Sequence, residues 1–282
     1  MVLVLLLCGA AGLALPSPGF AQEQETDPLA TTPPAPTDTH ETGTSGGWLR
    51  QFGRDGRYLF TFPTRATRRG AWTTVGFLAG TGLVLHLDDR IRVEAREDSA
   101  SPRTQQYASR ISGLGSEASA VAGLGLFYLG ARAAKSEYGM STAGTAFEAL
   151  LWCMPITAAA KSIFGRARPS GQADARDFFH NDGIFPSGHA TRSFAIAAVL
   201  ADRYGARAAW FAYPTAGLIG LSTIGRDVHW ASDVMAGAGL GLAIGKGIAH
   251  RHPGREEARA DEGRLAWQFT PAPGGGFFTL RF

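Results

Sequence analysis

Apolar residues gather into six long segments in the middle of the chain, at about 71–87, 115–134, 142–163, 188–204, 207–224 and 230–250. Ala, Leu and Gly dominate these segments and clusters of β-branched residues are few, so the pattern predicts helices rather than strands. Charges and breakers divide them: Asp88-Asp89-Arg90, Pro102, Gly139, Arg168-Pro169 and Pro186. No repeat period is visible. The expected fold is all-α, a six-helix bundle over residues 48–252. The run Ala236-Gly-Ala-Gly-Leu-Gly-Leu-Ala-Ile-Gly245 predicts helices in close approach.

The ends read differently. Residues 1–21 begin with an apolar run, Val2 to Leu15, and Gly19-Phe20-Ala21 permits cleavage after Ala21, the pattern of an export signal or of an uncleaved anchor. Its leading region carries no Lys or Arg, which departs from that pattern. Residues 22–47 are rich in Thr, Pro, Glu, Gly and Ser, too polar to offset ordering entropy, and predict a disordered arm. Residues 253–282 form a polar tail in which Leu265-Ala-Trp-Gln-Phe269 and Gly276-Phe-Phe-Thr-Leu-Arg-Phe282 predict a short β-hairpin.

Composition narrows the class. With 282 residues, 45% of them apolar, the chain can bury a sizeable core. Its net charge is 27 − 24 = +3, too balanced for a protein that coats nucleic acid. The two cysteines, Cys8 and Cys153, exclude a disulfide scaffold, and Cys153 reads as a packed helix residue. Membrane signals conflict. An exported amino terminus puts Arg65, Arg68 and Arg69 outside, whereas the positive-inside rule puts them in the cytoplasm. A soluble or membrane-apposed bundle in the periplasm, and six spanning helices with no export signal before them, are both open.

Three polar clusters stand at the tips of apolar segments. Lys161-Ser-Ile-Phe-Gly-Arg-Ala-Arg168-Pro169 closes the third and offers a cationic rim, though basic residues at a helix end also simply complement its dipole. Pro186-Ser187-Gly188-His189 opens the fourth. Ser187 is a natural N-cap, Gly188 lets backbone approach a ligand, and free N–H groups from Ser187 onward would face an anion. His189 would hold there a proton that it can donate near neutral pH. Arg226-Asp-Val-His229-Trp-Ala-Ser-Asp233 opens the sixth, and the four-residue spacing lets Asp233 hydrogen-bond His229 and fix its tautomer. No third ligand type stands at helical spacing beside this pair, so no metal or other cofactor is expected there. His180 reads as a loop residue.

Together the clusters resemble the type 2 phosphatidic acid phosphatase (PAP2) superfamily, shared with bacterial non-specific acid phosphatases and vanadium haloperoxidases. Its signature is K-x6-R-P, P-S-G-H and S-R-x5-H-x3-D. Lys161…Arg168-Pro169 and Pro186-Ser-Gly-His189 match in full, and Ser222…His229…Asp233 matches in spacing. Thr223 stands where the family has arginine, and Arg226, three residues on, is the nearest replacement, with Arg166 and Arg192 behind it. Losing one such donor costs about 3–4 kcal/mol of transition-state stabilisation.

The resemblance implies metal-free hydrolysis of phosphate esters through a phosphohistidine. His229 would be the nucleophile, Asp233 its orienter and His189 the acid and base. Lys161, Arg168, Ser187 and Gly188, with Arg226, would hold phosphate or vanadate. The substrate implied is a phosphorylated lipid at a membrane of the bacterial cell envelope, with the site facing the periplasm. A small soluble phosphoester, a phospholipid-binding bundle without turnover, and a vanadium-dependent haloperoxidase remain alternatives.

Overall fold

Serine and threonine caps set where the helices begin. Thr67, Ser101, Ser116, Ser136 and Ser187 each accept a hydrogen bond from the backbone N–H three residues on, satisfying one of the donors a helix start leaves free. The structure, a computed structural model, describes residues 45–61, 67–171, 174–179, 183–252, 266–272 and 275–281. Within them lie α1 (Ser45–Phe60), α2 (Arg68–Asp98), α3 (Pro102–Leu114), α4 (Glu117–Ala133), α5 (Glu137–Phe164), α6 (Gly188–Gly225) and α7 (Ala231–Arg251). A 3-10 turn covers Pro169–Gly171, and β1 (Ala266–Ala272) pairs antiparallel with β2 (Gly275–Arg281), Ala266 opposite Arg281. The export-signal segment, most of the polar arm and the tail before β1 lie outside the described residues.

The fold is all-helical in its core, but the expected count of six is corrected to seven α-helices among the described residues. Two were missed and two were joined. Helix α1 starts at Ser45, inside the stretch read as linker. Helix α3 buries only Ser112, so it has no apolar stripe to reveal it; its Ser101 cap and Pro102 at the first position are its signal. Segments 188–204 and 207–224 run on as α6, kinked where Gly205 adopts φ 73°, a left-handed region open to glycine. Helix α2 continues past Asp88-Asp89-Arg90 to Asp98 because Asp88 is buried on the same stripe as Thr81 and Val84.

Helix α7 and the first half of α6 form the spine. On one side they pack Ala195, Val199, Ile244 and Ile248 against Leu124 of α4 and Ala149, Leu150 and Cys153 of α5. On the other, Phe194, Val234 and Ala238 meet Val84 of α2 and Ile224 of α6. Cys153 is buried in this core, as its reading as a packed residue required. The close approach expected from the glycine run is real at Gly237, Gly239, Gly241 and Gly245. A Cβ on Gly241 would collide with the Thr191 carbonyl, and one on Gly245 with the Ala195 carbonyl.

Gly241→Ala therefore overpacks the α6–α7 seam and should cost about 1–3 kcal/mol. Gly125→Ala, on α4 with nothing near its added methyl, should be neutral or stabilise by about 0.5–1 kcal/mol through helix propensity. Thermal melts of the two variants beside the wild type check both signs.

Candidate active site

The site is built where three helix ends meet a folded-back loop. Gly165, at φ 42°, ends α5 in a left-handed cap, and its N–H returns to the Lys161 carbonyl. The turn sends Arg166 inward and leaves Arg168 exposed. The loop then doubles back: Ala167 N–H donates to Asp177 O at 3.0 Å and Ile184 N–H to Arg166 O at 3.2 Å. Ser187 begins α6, and Trp230, buried with its indole N–H donating to Ala167 O at 3.0 Å, leads into α7.

The two histidines come together. The ring centroids of His189 and His229 lie 6.3 Å apart, inclined at 66°, a separation that lets both rings contact one phosphate-sized anion. Burial first, and then the positive charge of Arg192, His229, Lys161 and Arg226, lowers the pKa of His189 from 6.5 to about 4. This corrects the expectation of a readily donated proton: in this surround the imidazole is neutral at neutral pH. It also identifies Lys161, Arg192 and Arg226 as groups whose fields converge on His189. Lys161 is half-buried and makes no ion pair among the described residues.

The His229–Asp233 pair is in place but differs from expectation. Nδ1 of His229 lies 3.4 Å from Oδ2 of Asp233 yet lacks hydrogen-bond alignment with it. The carboxylate has other partners. Its Oδ2 accepts from the Trp230 N–H at 3.0 Å, the acid-to-cap half of a capping box, and its Oδ1 accepts from Arg166 Nη1. Arg166 is wholly buried and also donates to the Ala175 carbonyl, to Ser232 Oγ at 2.8 Å and to Asp88 Oδ2 at 2.7 Å. Asp88 in turn accepts from the Ser232 N–H at 2.9 Å and from its hydroxyl at 2.5 Å.

The P-S-G-H turn keeps part of its expected donor set. Ser187 N–H is already committed to the Asp233 carbonyl at 3.0 Å, and its Oγ caps the Ala190 N–H at 3.5 Å. That corrects the idea of a free N–H at Ser187. The N–H groups of Gly188 and His189 make no hydrogen bond among the described residues.

Each arginine that could stand in for the one expected at Thr223 has other partners. Thr223 is buried, its hydroxyl donates to Gly220 O at 2.6 Å, and its carbonyl receives the Val228 N–H at 3.0 Å. Arg226 is exposed, with Nη1 donating to Ser112 Oγ at 2.6 Å. Arg166 is consumed by its carboxylates. Arg192 holds the Gly115 carbonyl at 3.1 Å and Glu117 at 3.0 Å, so it keeps α4 against the cup while charging it. Sequence reasoning missed Asp88, Ser112, Glu117 and Ser232. Asp88 alone had a legible signal, as a charge at the spacing of a buried stripe. His180 lies outside the described residues.

These three clusters fall within one stretch that is similar to known proteins. Residues 142–257 match the PAP2 superfamily. Over 91 residues the chain is 38% identical to a lipid A 1-phosphatase of Porphyromonas gingivalis, an alignment covering 31% of this chain and 19% of that protein. The match thus spans about a fifth of the relative's length. No solved structure matches the chain. Asp88, Ser112 and Glu117 lie before the PAP2 stretch, so part of the surround of the histidines comes from outside it.

Two measurements test this geometry. Arg166→Ala strands two buried carboxylates and should cost about 3–5 kcal/mol. Arg168→Ala should leave the melting temperature nearly unchanged yet weaken anion binding by about tenfold or more. Thermal melts with and without vanadate compare them. Second, an anion in the cup should raise the pKa of His189 back toward its ordinary value, so binding takes up a proton. Affinity for sulfate, whose own charge is constant over this range, should strengthen as pH falls from 7 toward 5. Calorimetry in two buffers of different ionisation heat reads the uptake, and His189→Gln should remove it.

Proposed function

We propose that this chain is a metal-independent phosphatase acting on lipid phosphates or diphosphates through a phosphohistidine. The observation that carries the reading is the convergence of His189 and His229, 6.3 Å apart, inside a ring of cations. The PAP2 match over residues 142–257 and the likeness over 91 residues to a lipid A 1-phosphatase support it.

In this mechanism Lys161, Arg168, the Ser187 hydroxyl and the Gly188 N–H bind the non-bridging oxygens, with Arg226 reaching in from the rim. Nε2 of His229, on the ring edge away from Asp233, attacks phosphorus as the bond to the leaving oxygen breaks. Asp233, 3.4 Å from Nδ1, stabilises the positive charge that develops on the ring. His189, protonated once the anionic substrate is bound, gives its proton to the leaving oxygen. It then takes a proton from the water that displaces His229. Positioning and fixed charge suit phosphoryl transfer, in which little covalent work falls to the protein beyond the nucleophile.

A lipid substrate is supported by apolar surface that the core leaves uncovered. Helices α2 and α5, of 31 and 28 residues, each contain an 18-residue window of mean hydropathy 1.2, long and apolar enough to cross a bilayer, and only 11% and 28% of those windows are buried. Trp72, Val75 and Leu78 on α2 and Leu126 and Leu129 on α4 are exposed. The proposed setting is a bacterial envelope membrane with the cup opening to the periplasmic side. A second reading, phosphate-lipid binding without turnover, draws on Thr223 being turned into the helix and Arg226 being tied to Ser112.

Purified protein in detergent with a chelator present should release phosphate from a lipid phosphate faster than from a soluble aryl ester, and vanadate should inhibit it. His229→Ala should abolish turnover, and His189→Ala should lower it by about 100-fold or more. Binding of the lipid phosphate by the intact chain with no phosphate released would favour the second reading.

A further inference from the structure

Asp55 of α1, Glu148 of α5 and His252 at the end of α7 converge at a place the phosphatase reading does not use. Glu148 and the phosphate-side Lys161 share α5 but stand about 20 Å apart along it, at 1.5 Å per residue. Each of the three residues offers one ligand atom, and these atoms all lie within 4.8 Å of one another. His252 Nε2 is 3.0 Å from Glu148 Oε2 and 3.3 Å from Asp55 Oδ2. Asp55 is fully buried and Glu148 is 5% exposed.

Two observations point to a ligand rather than to a closed ion pair. The Glu148 carboxylate lies in the core, and its Oε1 is buried without a hydrogen-bond partner among the described residues. His252 Nε2, despite its two short approaches, has no aligned hydrogen-bond partner either. An N–H pointing at a carboxylate would align. Lone pairs converging on a common centre would not. The spacings also fit a metal: ligands at about 2.0–2.1 Å from tetrahedral zinc stand about 3.3 Å from each other. Arg251 Nε takes the other oxygen of Asp55 at 2.8 Å and Gln51 Nε2 reaches Oδ2 at 3.4 Å, fixing that carboxylate from behind.

We propose that Asp55, Glu148 and His252 form a binding site for a divalent cation of the zinc class, with water in the fourth position. An imidazole with two carboxylates suits zinc and disfavours calcium and magnesium, which take oxygen. Bound metal fastens α1 to α5 and α7, so its effect is on stability and not on the phosphate chemistry.

Full-length protein stripped with chelator should bind one equivalent of zinc per chain by elemental analysis after gel filtration, and its melting temperature should rise with zinc. Glu148→Gln, which keeps the shape, and His252→Ala should each weaken zinc affinity by about 10-fold or more. Phosphatase activity should survive in both. A stability that follows pH but not zinc, or zinc binding unchanged in Glu148→Gln, would overturn the proposal. Circular dichroism of each variant separates lost binding from lost folding.

Discussion

The site rests on the buried guanidinium of Arg166. One planar cation, with no exposed surface, joins the loop after α5 to Asp88 of α2 and to Asp233 and Ser232 of α7. A buried ion network of this kind is poor evidence of net stability, because desolvation offsets much of the attraction. Its value lies in geometry. The guanidinium presents fixed donors in a plane, so three elements that never touch in sequence acquire one relative position. The rings of Phe178 and Trp230, 4.8 and 5.1 Å from its centre, close the remaining faces. Asp233 is therefore immobilised by its neighbours before it meets His229.

That immobilisation explains the 3.4 Å contact at Nδ1. A carboxylate already shared between Arg166 and the Trp230 N–H has given its best lone pairs away. It still presents negative charge to the imidazole at fixed distance. Charge placed there matters most when the ring becomes cationic, as it would on attack at phosphorus, so a loose contact in the resting state is compatible with a strong one during reaction. The opposite condition holds at His189. Cations face it, burial strips it of water, and its proton is lost well below neutral pH. Like charges gathered around one imidazole repel, and an anion bound among them would relieve that field and restore the proton together.

What the sequence disclosed about the site was local in origin. Lys161 with Arg168-Pro169, Pro186 to His189, and His229 with Asp233 each lie within one or two turns, so spacing alone places their members on a common face or at a common helix end. Their joining was legible only through resemblance. The partners that hold them were hidden, because Asp88 is 145 residues from Asp233 and Ser112 is 114 from Arg226. No periodicity encodes a hydrogen bond across such gaps. Helix boundaries failed for a related reason: α3 draws its definition from caps at its ends, and Asp88 looked like a break because its charge was read without the cation that neutralises it.

The position of Thr223 shows how such long-range partners change the meaning of a short motif. An arginine there would have to emerge from a buried turn of α6, where Thr223 instead closes a hydrogen bond to Gly220 and lends its carbonyl to the loop that carries His229. Arg226 stands beyond the helix end, and its guanidinium is steadied by Ser112 of α3, an element outside the PAP2 stretch. Its charge still acts on His189. In the proposed reading the cationic contribution moves from the helix interior to its rim, where a hydroxyl from a neighbouring helix can aim it. A donor held this way keeps Nε and Nη2 without a hydrogen bond among the described residues, and it depends on α3 for its direction. In that reading, threonine at position 223 and a capped, nearly stripe-less α3 that steadies Arg226 are two sides of one structural arrangement.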